Sequence, residues 1–247
     1  MEPTTTGRFR VLDRRPDGTI LLVDLDAAAA AVADPHSTAA GDLQPIAVQP
    51  VVVADAESAG DDSDTLADRV TSLEPGYVIA ASLQWDDSEA RFSACEIVTR
   101  TRIQYADAIT GIFEKAQETW HDAQVAGAAM NSAVTYSTGK EPNGVVYVFA
   151  KQEPPRDLFE EFRTGATPIE PLIQRVDVEH AADDEMERDN EPGTTDEAET
   201  DDQPGDEERA VFVMNPADEE FVLLYIVFRK EGMLAKTVRD TYGLPPV

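Results

Sequence analysis

The sequence predicts an α+β fold: an N-terminal small antiparallel β-barrel-like half, followed by helices packed on a mostly antiparallel sheet. Three observations carry this expectation. The N-terminal stretch holds short apolar runs separated by turn signals, the pattern of a small barrel or sandwich. An apolar stripe at helical spacing follows. Beyond it, pairs of strands alternate with short helical patterns, an α+β layer order.

Arg8–Leu12 and Thr19–Leu25 read as the strands of a hairpin. Between them lies Arg15-Pro16-Asp17-Gly18, where proline fixes φ and glycine accepts a positive φ. Ala27–Ala33 is a helix-prone or flexible run that stops before Pro35. Ile46–Ala54 is a Val-rich strand, and Glu57–Asp64 an acidic loop. Tyr77–Trp85 is a further strand, Asp86–Glu89 a turn, and Arg91–Arg102 the strand running back. Period two would put Phe92, Ala94, Glu96, Val98, Arg100 and Arg102 on one face. An oligonucleotide-binding-type barrel is one candidate for this half.

Tyr105–Gly127 is expected as one helix. Tyr105, Ile109, Ile112, Phe113, Ala116, Trp120 and Ala123 recur at spacings of three and four, and Gly127 is a stop. Ala133–Ser137 and Val145–Ala150 pair around Gly139–Gly144, whose Asn143-Gly144 is a strong turn signal. Pro155–Arg163 is a short helix with proline at its start. Ala210–Met214 and Phe221–Phe228 are strands about the turn Asn215–Asp218; the second is apolar on both faces, hence central. Glu231–Tyr242 is a last helix, ended by Gly243.

Residues 179–209 differ from the rest. They hold 15 acidic residues against two basic ones and no aromatic, so they bury too little apolar surface to offset ordering entropy. The expected division is a β-rich barrel-like half over 1–103, an α+β half over 104–178 and 210–247, and a disordered acidic loop over 179–209.

Charge sets the setting. The chain has 49 Asp+Glu against 20 Lys+Arg, a formal net charge of -29, and only five lysines among its basic residues. In dilute buffer that charge repels itself. At 1 M salt the Debye length falls to roughly 3 Å and the repulsion largely vanishes. An acidic, lysine-poor chain therefore points to a salt-rich cytosol. The single cysteine, Cys95, excludes an intrachain disulfide and a multi-cysteine metal site, and reads as a small buried hydrophobe. The longest apolar run, Phe221–Phe228, is far short of the ~20 residues that span a bilayer. The opening MEPTTTGRFRVLD lacks a basic region followed by an apolar stretch, so no signal peptide is expected and the expected location is cytoplasmic.

Chemical candidates are few. Ile20–Asp26 is an apolar run ending in Asp24-x-Asp26, and it resembles the first motif of haloacid dehalogenase-like phosphotransferases. That resemblance implies Asp24 as nucleophile and Asp26 as general acid/base beside Mg²⁺. Ala27 and Ala28 depart from the motif, and a hairpin strand is not the parallel sheet it needs. Glu114, Glu118 and His121 share a helical face at di-metal ligand spacing, but no second Glu-x-x-His exists, so a solvated charged face is expected. Arg100, Arg102, Asn131, Tyr136 and Asn143 form a candidate binding cluster of cations, amides and an aromatic. No cofactor is expected.

Several stretches together resemble a haloarchaeal protein family of unknown function. They are Gly7-Arg8-Phe9-Arg10-Val11-Leu12-Asp13, Pro75-Gly76-Tyr77 with Trp85-Asp86-Asp87, Met130-Asn131-Ser132 to Tyr136, Glu141-Pro142-Asn143-Gly144-Val145, and Arg239-Asp240-Thr241-Tyr242. The resemblance implies a haloarchaeal source and no activity. The leading expectation is a non-enzymatic binding or regulatory module with a protein partner. The alternatives are a Mg-dependent hydrolase or phosphotransferase using Asp24 and Asp26, and a nucleic-acid binder through the barrel-like half. The net charge argues against nucleic acid, because phosphate contacts need a basic patch. The composition makes stability salt-dependent: the melting temperature is expected to fall as KCl is lowered from molar concentration, and equal cooperative melts with and without KCl would contradict it.

Overall fold

The computed structural model describes residues 3–27, 45–52, 65–152, 156–173, 175–176 and 208–246. Five strands close a barrel. These are β1 (Thr4–Arg14), β2 (Ile20–Asp24), β3 (Ile46–Val52), β4 (Val78–Asp86) and β5 (Glu89–Thr99), with α1 (Leu66–Thr71) between β3 and β4. The order around the barrel is β1-β2-β3-β5-β4, and β4 returns to β1. Only β3 and β5 run parallel. This order, with its helix between the third and fourth strands, is that of an oligonucleotide-binding-type barrel.

The local chemistry follows the sequence. Gly18, at φ 87°, turns β1 into β2, and Asp17 accepts the Thr19 N–H at 2.9 Å. Thr65 and Asp68 form a reciprocal cap on α1. The barrel core is built by alternation: Phe9 and Val11 of β1, Ile20 and Leu22 of β2, Ile79, Ala81 and Leu83 of β4. Val70 of α1 and Leu73 just beyond it complete the same core.

In β5 the expected face does not hold. Ser82 pairs with Ala94 but Leu83 with Phe92, so Ser93 is an extra residue, a β-bulge. The bulge flips the alternation: Ala90 and Phe92 point inward, then Cys95, while Ala94, Glu96 and Val98 point out. Period two cannot show a bulge, so it groups Phe92 with the wrong neighbours.

The second sheet contains β6 (Arg102–Ile109), β7 (Met130–Tyr136), β8 (Pro142–Ala150), β9 (Ala210–Pro216) and β10 (Phe221–Val227), in the order β6-β9-β10-β8-β7. β6 and β9 are parallel; the remaining pairs are antiparallel. With this sheet go α2 (Glu114–Ala126), α3 (Leu158–Thr164) and α4 (Met233–Tyr242), and helical residues at 170–173 and 175–176. β10 is central and buried on both faces, as its sequence requires. One face carries Val222, Leu224 and Ile226 against Leu158, Phe159 and Phe162 of α3 and Ile169 and Val176 beyond it. The other carries Phe221, Leu223 and Tyr225 against Ala116 of α2 and Ala235 and Val238 of α4.

The long helix expected over Tyr105–Gly127 is instead a strand, a loop and a shorter helix. Tyr105 and Ile109 lie in β6, beside β9. Ala108 (φ 51°) and Gly111 (φ 72°) sit in the left-handed region and break any helix before Glu114. A spacing of four fits both a helix face and alternate strand positions, and the arbiter, β9, is distant in sequence. α3 begins at Leu158, capped by Asp157, whose carboxylate accepts the Glu160 N–H at 3.2 Å. The acidic loop, apart from Glu208 and Arg209, lies outside the described residues, as do Glu57–Asp64 and most of Ala27–Ala33.

Barrel and sheet meet at Pro75-Gly76-Tyr77. Gly76 donates to the Val11 carbonyl at 2.8 Å, and Val11 to the Tyr77 carbonyl at 2.9 Å. On the other side Ile103 of β6 donates to the Pro75 carbonyl at 3.1 Å. Gly76 has φ 103°, and a Cβ there would stand 2.4 Å from the Thr101 oxygen and 2.5 Å from the Ile103 nitrogen. Gly76→Ala is therefore expected to destabilise by about 3 kcal/mol, through strain and a backbone clash together. Gly7→Ala, which meets nothing closer than 3.6 Å, should stay near wild type. Denaturant unfolding in molar KCl measures both.

Candidate functional site

A cavity of about 670 Å³ opens between barrel and sheet. Leu12, Asp13 and Leu21 line it from β1 and β2, Ile103 and Tyr105 from β6, and Phe159, Arg163 and Thr164 from α3. These positions follow from the strand period. Residues of β1 and β2 that do not enter the barrel core must point outward, and α3 lies over that outer face. Gly165 ends α3 at φ 80°, and a Cβ there would lie 3.0 Å from the Val23 methyls and 3.1 Å from Arg10 Nη2. Glycine lets α3 seat directly on β1 and β2.

Most of the polar groups around this cleft are engaged. Arg163 holds Glu160 through two bonds, at 2.8 and 2.7 Å. The Tyr105 hydroxyl donates to the Phe162 carbonyl at 3.2 Å. Burial holds its pKa above the usual tyrosine value, with Arg10 pulling against the rise. Behind the wall Arg10 is fully buried, its Nη1 2.8 Å from Glu170 Oε1. Among the described residues Arg10 Nε and Nη2 and Glu170 Oε2 find no hydrogen-bond partner.

A second polar seam runs along the Gly76 side. Lys230, 5% exposed, lies 3.2 Å from Glu208 and 3.5 Å from Glu74, and 5.4 Å from the centre of the Tyr77 ring. Burial pulls its pKa down, but the bond to Glu208, with Tyr77 and Glu74 nearby, outweighs that and leaves it raised. Arg239 donates to Gln104 Oε1 at 2.8 Å and to the Lys230 carbonyl at 2.9 Å. Burial lowers its pKa, and the like charge of Arg102 adds to the drop. Gln104 donates to the Pro245 carbonyl at 2.9 Å and Arg102 to that of Pro246 at 3.3 Å. The segment after α4 is thereby fastened across the edge strand β6.

The sequence candidates fall in separate places. Asp24 ends β2, and its Oδ1 accepts the N–H groups of Asp26 (3.0 Å) and Ala27 (2.9 Å), so it caps a helical turn. Asp26 pairs with Arg8 at 3.1 Å on the barrel surface. Glu114, Glu118 and His121 are exposed on α2, with Glu118 3.2 Å from Lys115. Among the described residues no group of three or more His, Cys, Asp or Glu is placed to hold a metal. Cys95 is buried in the barrel core, and burial raises its thiol pKa to about 11, against the pull of Arg69.

The binding cluster is not assembled. Arg102 is at the β6 edge of the sheet and Asn131 and Tyr136 are at the β7 edge, with three strands between. Arg102 faces Glu74 at 3.7 Å. Asn131 donates to the Thr119 carbonyl at 3.2 Å, Asn143 accepts from Thr135 at 2.8 Å, and Tyr136 is 61% exposed. Arg100 is exposed in the link between β5 and β6. Sequence reasoning missed Arg10, Glu170, Lys230 and Arg239. For Arg10 a signal existed: an arginine between the core residues Phe9 and Val11 must face outward, onto whatever covers β1.

Removing one partner of a buried ion pair leaves an uncompensated charge. Glu170→Ala should therefore cost about 3 kcal/mol of stability. The double variant Arg10→Met, Glu170→Leu should recover most of that loss, because it strands no charge. Unfolding midpoints in molar KCl separate the two.

No curated protein and no solved structure matches the chain. The stretches that carry the family resemblance include β1 with Arg10, the Pro75-Gly76-Tyr77 crossing and Arg239, which together build the junction of barrel and sheet. The sequence model of one family matches residues 1–247, and the chain belongs to it: the Family of unknown function (DUF6663).

Proposed function

We propose that this chain is a non-enzymatic binding or regulatory module of a salt-loaded haloarchaeal cytoplasm, and that its ligand or protein partner seats in the cleft between barrel and sheet. The cleft itself carries the reading. It is roomy, built from both parts of the fold, and lined by apolar side chains interleaved with Asp13, Arg102, Asp107, Glu160 and Arg163, of which Arg163 is bonded to Glu160 and Arg102 faces Glu74. Groups engaged in this way orient and hold; they do not stand ready as nucleophile and base. The charge of -29 with five lysines supports the salt-rich setting.

The covering of the barrel bears on the nucleic-acid reading. Arg10 and Val23, on the outer face of β1 and β2, are taken up by Glu170 and Gly165. A strand of nucleic acid would need another face of the barrel.

Protein purified from a haloarchaeal host in molar KCl is expected to retain a small molecule or partner, identified by mass spectrometry of the intact complex. Leu21→Glu, a half-buried position in the cleft wall, should weaken retention at least tenfold while the melting temperature holds. Equal retention by the Leu21→Glu variant would place binding elsewhere.

A further inference from the structure

We infer that β7 is a self-pairing edge, through which two copies of this chain join their sheets into one. The observation begins in the sequence. In a chain that is 28% charged, residues 123–139 contain no Asp, Glu, Lys or Arg, the longest such run. The structure places that run at the end of α2, in the following turn and along β7, the last strand of the sheet.

Edge strands present unpaired backbone groups, and proteins ordinarily protect them with lysine, proline, inward charges or a cover. β7 has no charge and no proline over its seven residues. Among the described residues no strand pairs with its outer side. The Ala150 N–H donates to the Ala129 carbonyl at 2.8 Å, and the β7/β8 register runs on from Met130 opposite Phe149. By alternation Asn131, Ala133 and Thr135 bond to β8, while Met130, Ser132, Val134 and Tyr136 turn their N–H and C=O groups outward. Those four are the exposed positions of the strand, with Met130 44%, Val134 40% and Tyr136 61% accessible. Asn131 Oδ1 accepts the Ser132 N–H at 2.9 Å, a local stand-in for a missing strand.

Charge selects a second copy as the occupant. Two chains of -29 meet at least cost where neither carries charge, and this run is such a place on both. The strand is also its own complement. Antiparallel pairing centred on Ala133 uses all seven residues and sets only outward groups against outward groups. It puts Met130 beside Tyr136 of the partner subunit, a thioether against an aromatic ring, and Val134 beside Ser132 of the partner subunit. A seven-residue edge is a small contact, so the dimer is concentration-dependent. Salt strengthens it, because screening removes repulsion between the two acidic bodies.

The test is sedimentation equilibrium of the full chain across a concentration series at rising KCl. The expected result is a monomer–dimer equilibrium whose dissociation constant falls as KCl rises. Val134→Lys, which adds the missing edge charge, and Val134→Pro, which removes only an outward N–H, should each raise that constant at least tenfold with the melting temperature retained. A register probe stands apart from those variants. Ser132→Cys mixed with Val134→Cys should cross-link faster than either protein with itself. A wild type that stays monomeric, a dimer weakened by salt, or a dimer in which neither the edge variants nor the cross-links behave in this way would overturn the inference.

Discussion

One tripeptide holds the two parts of this molecule in register. Pro75-Gly76-Tyr77 exchanges two backbone bonds with Val11 of the barrel and accepts a third from Ile103 of the sheet. The backbones come so close at Gly76 that no side chain fits between them. Everything else at the junction depends on that approach. It sets Lys230 beside Tyr77 and Glu74, brings β6 under the segment after α4, and fixes the angle at which α3 meets β1 and β2. The cleft is the space left over by this geometry.

Electrostatically the molecule is layered. Its formal charge is -29, yet among the described residues the charged side chains it buries are cations: Arg10, Lys230 and Arg239. Each is answered locally, Arg10 by Glu170, Lys230 by Glu74 and Glu208, Arg239 by Gln104 and a carbonyl. Molar salt screens the acidic exterior but reaches these buried groups far less. The surface charge thus responds to salt, while the buried cations define how the parts fit. Buried ion pairs of this kind add little net stability and penalise wrong arrangements heavily.

What the sequence revealed was what local rules encode. The β1–β2 turn announces itself through Pro16-Asp17-Gly18 and the centrality of β10 through its uninterrupted apolar run, whereas the β7–β8 hairpin turns at Ser137–Glu141, with Lys140 at φ 67°, and the expected turn pair Asn143-Gly144 lies inside β8, Gly144 opposite Thr135. β6 was hidden because its parallel partner places Arg102 opposite Ala210, across a separation no window spans. The β5 bulge was hidden because Ser93 looks like any alternating residue until Ser82 and Leu83 are set against it. The cleft was hidden for the same reason. Arg10, Tyr105 and Glu170 meet only once the fold exists, whereas the candidates that sequence spacing grouped, such as Arg102 with Asn131, stand on opposite edges of one sheet.

The order of strands also dictates an order of assembly. All five barrel strands lie within residues 4–99, and their pairings can form as soon as that stretch leaves the ribosome. The sheet cannot follow suit. β8, one of its inner strands, is complete at Ala150, but its neighbour β10 does not end until Val227. During that interval β8 has only β7 beside it in the sheet; α2, already made, packs on the face of Val146 and Val148, while Val145 and Tyr147 on the other face await α3 and β10. Transiently open apolar strands are aggregation-prone. The stretch made in between, residues 179–209, holds 15 acidic residues against two basic ones, so the nascent chain acquires its densest negative charge and very little further apolar surface during that exposed interval.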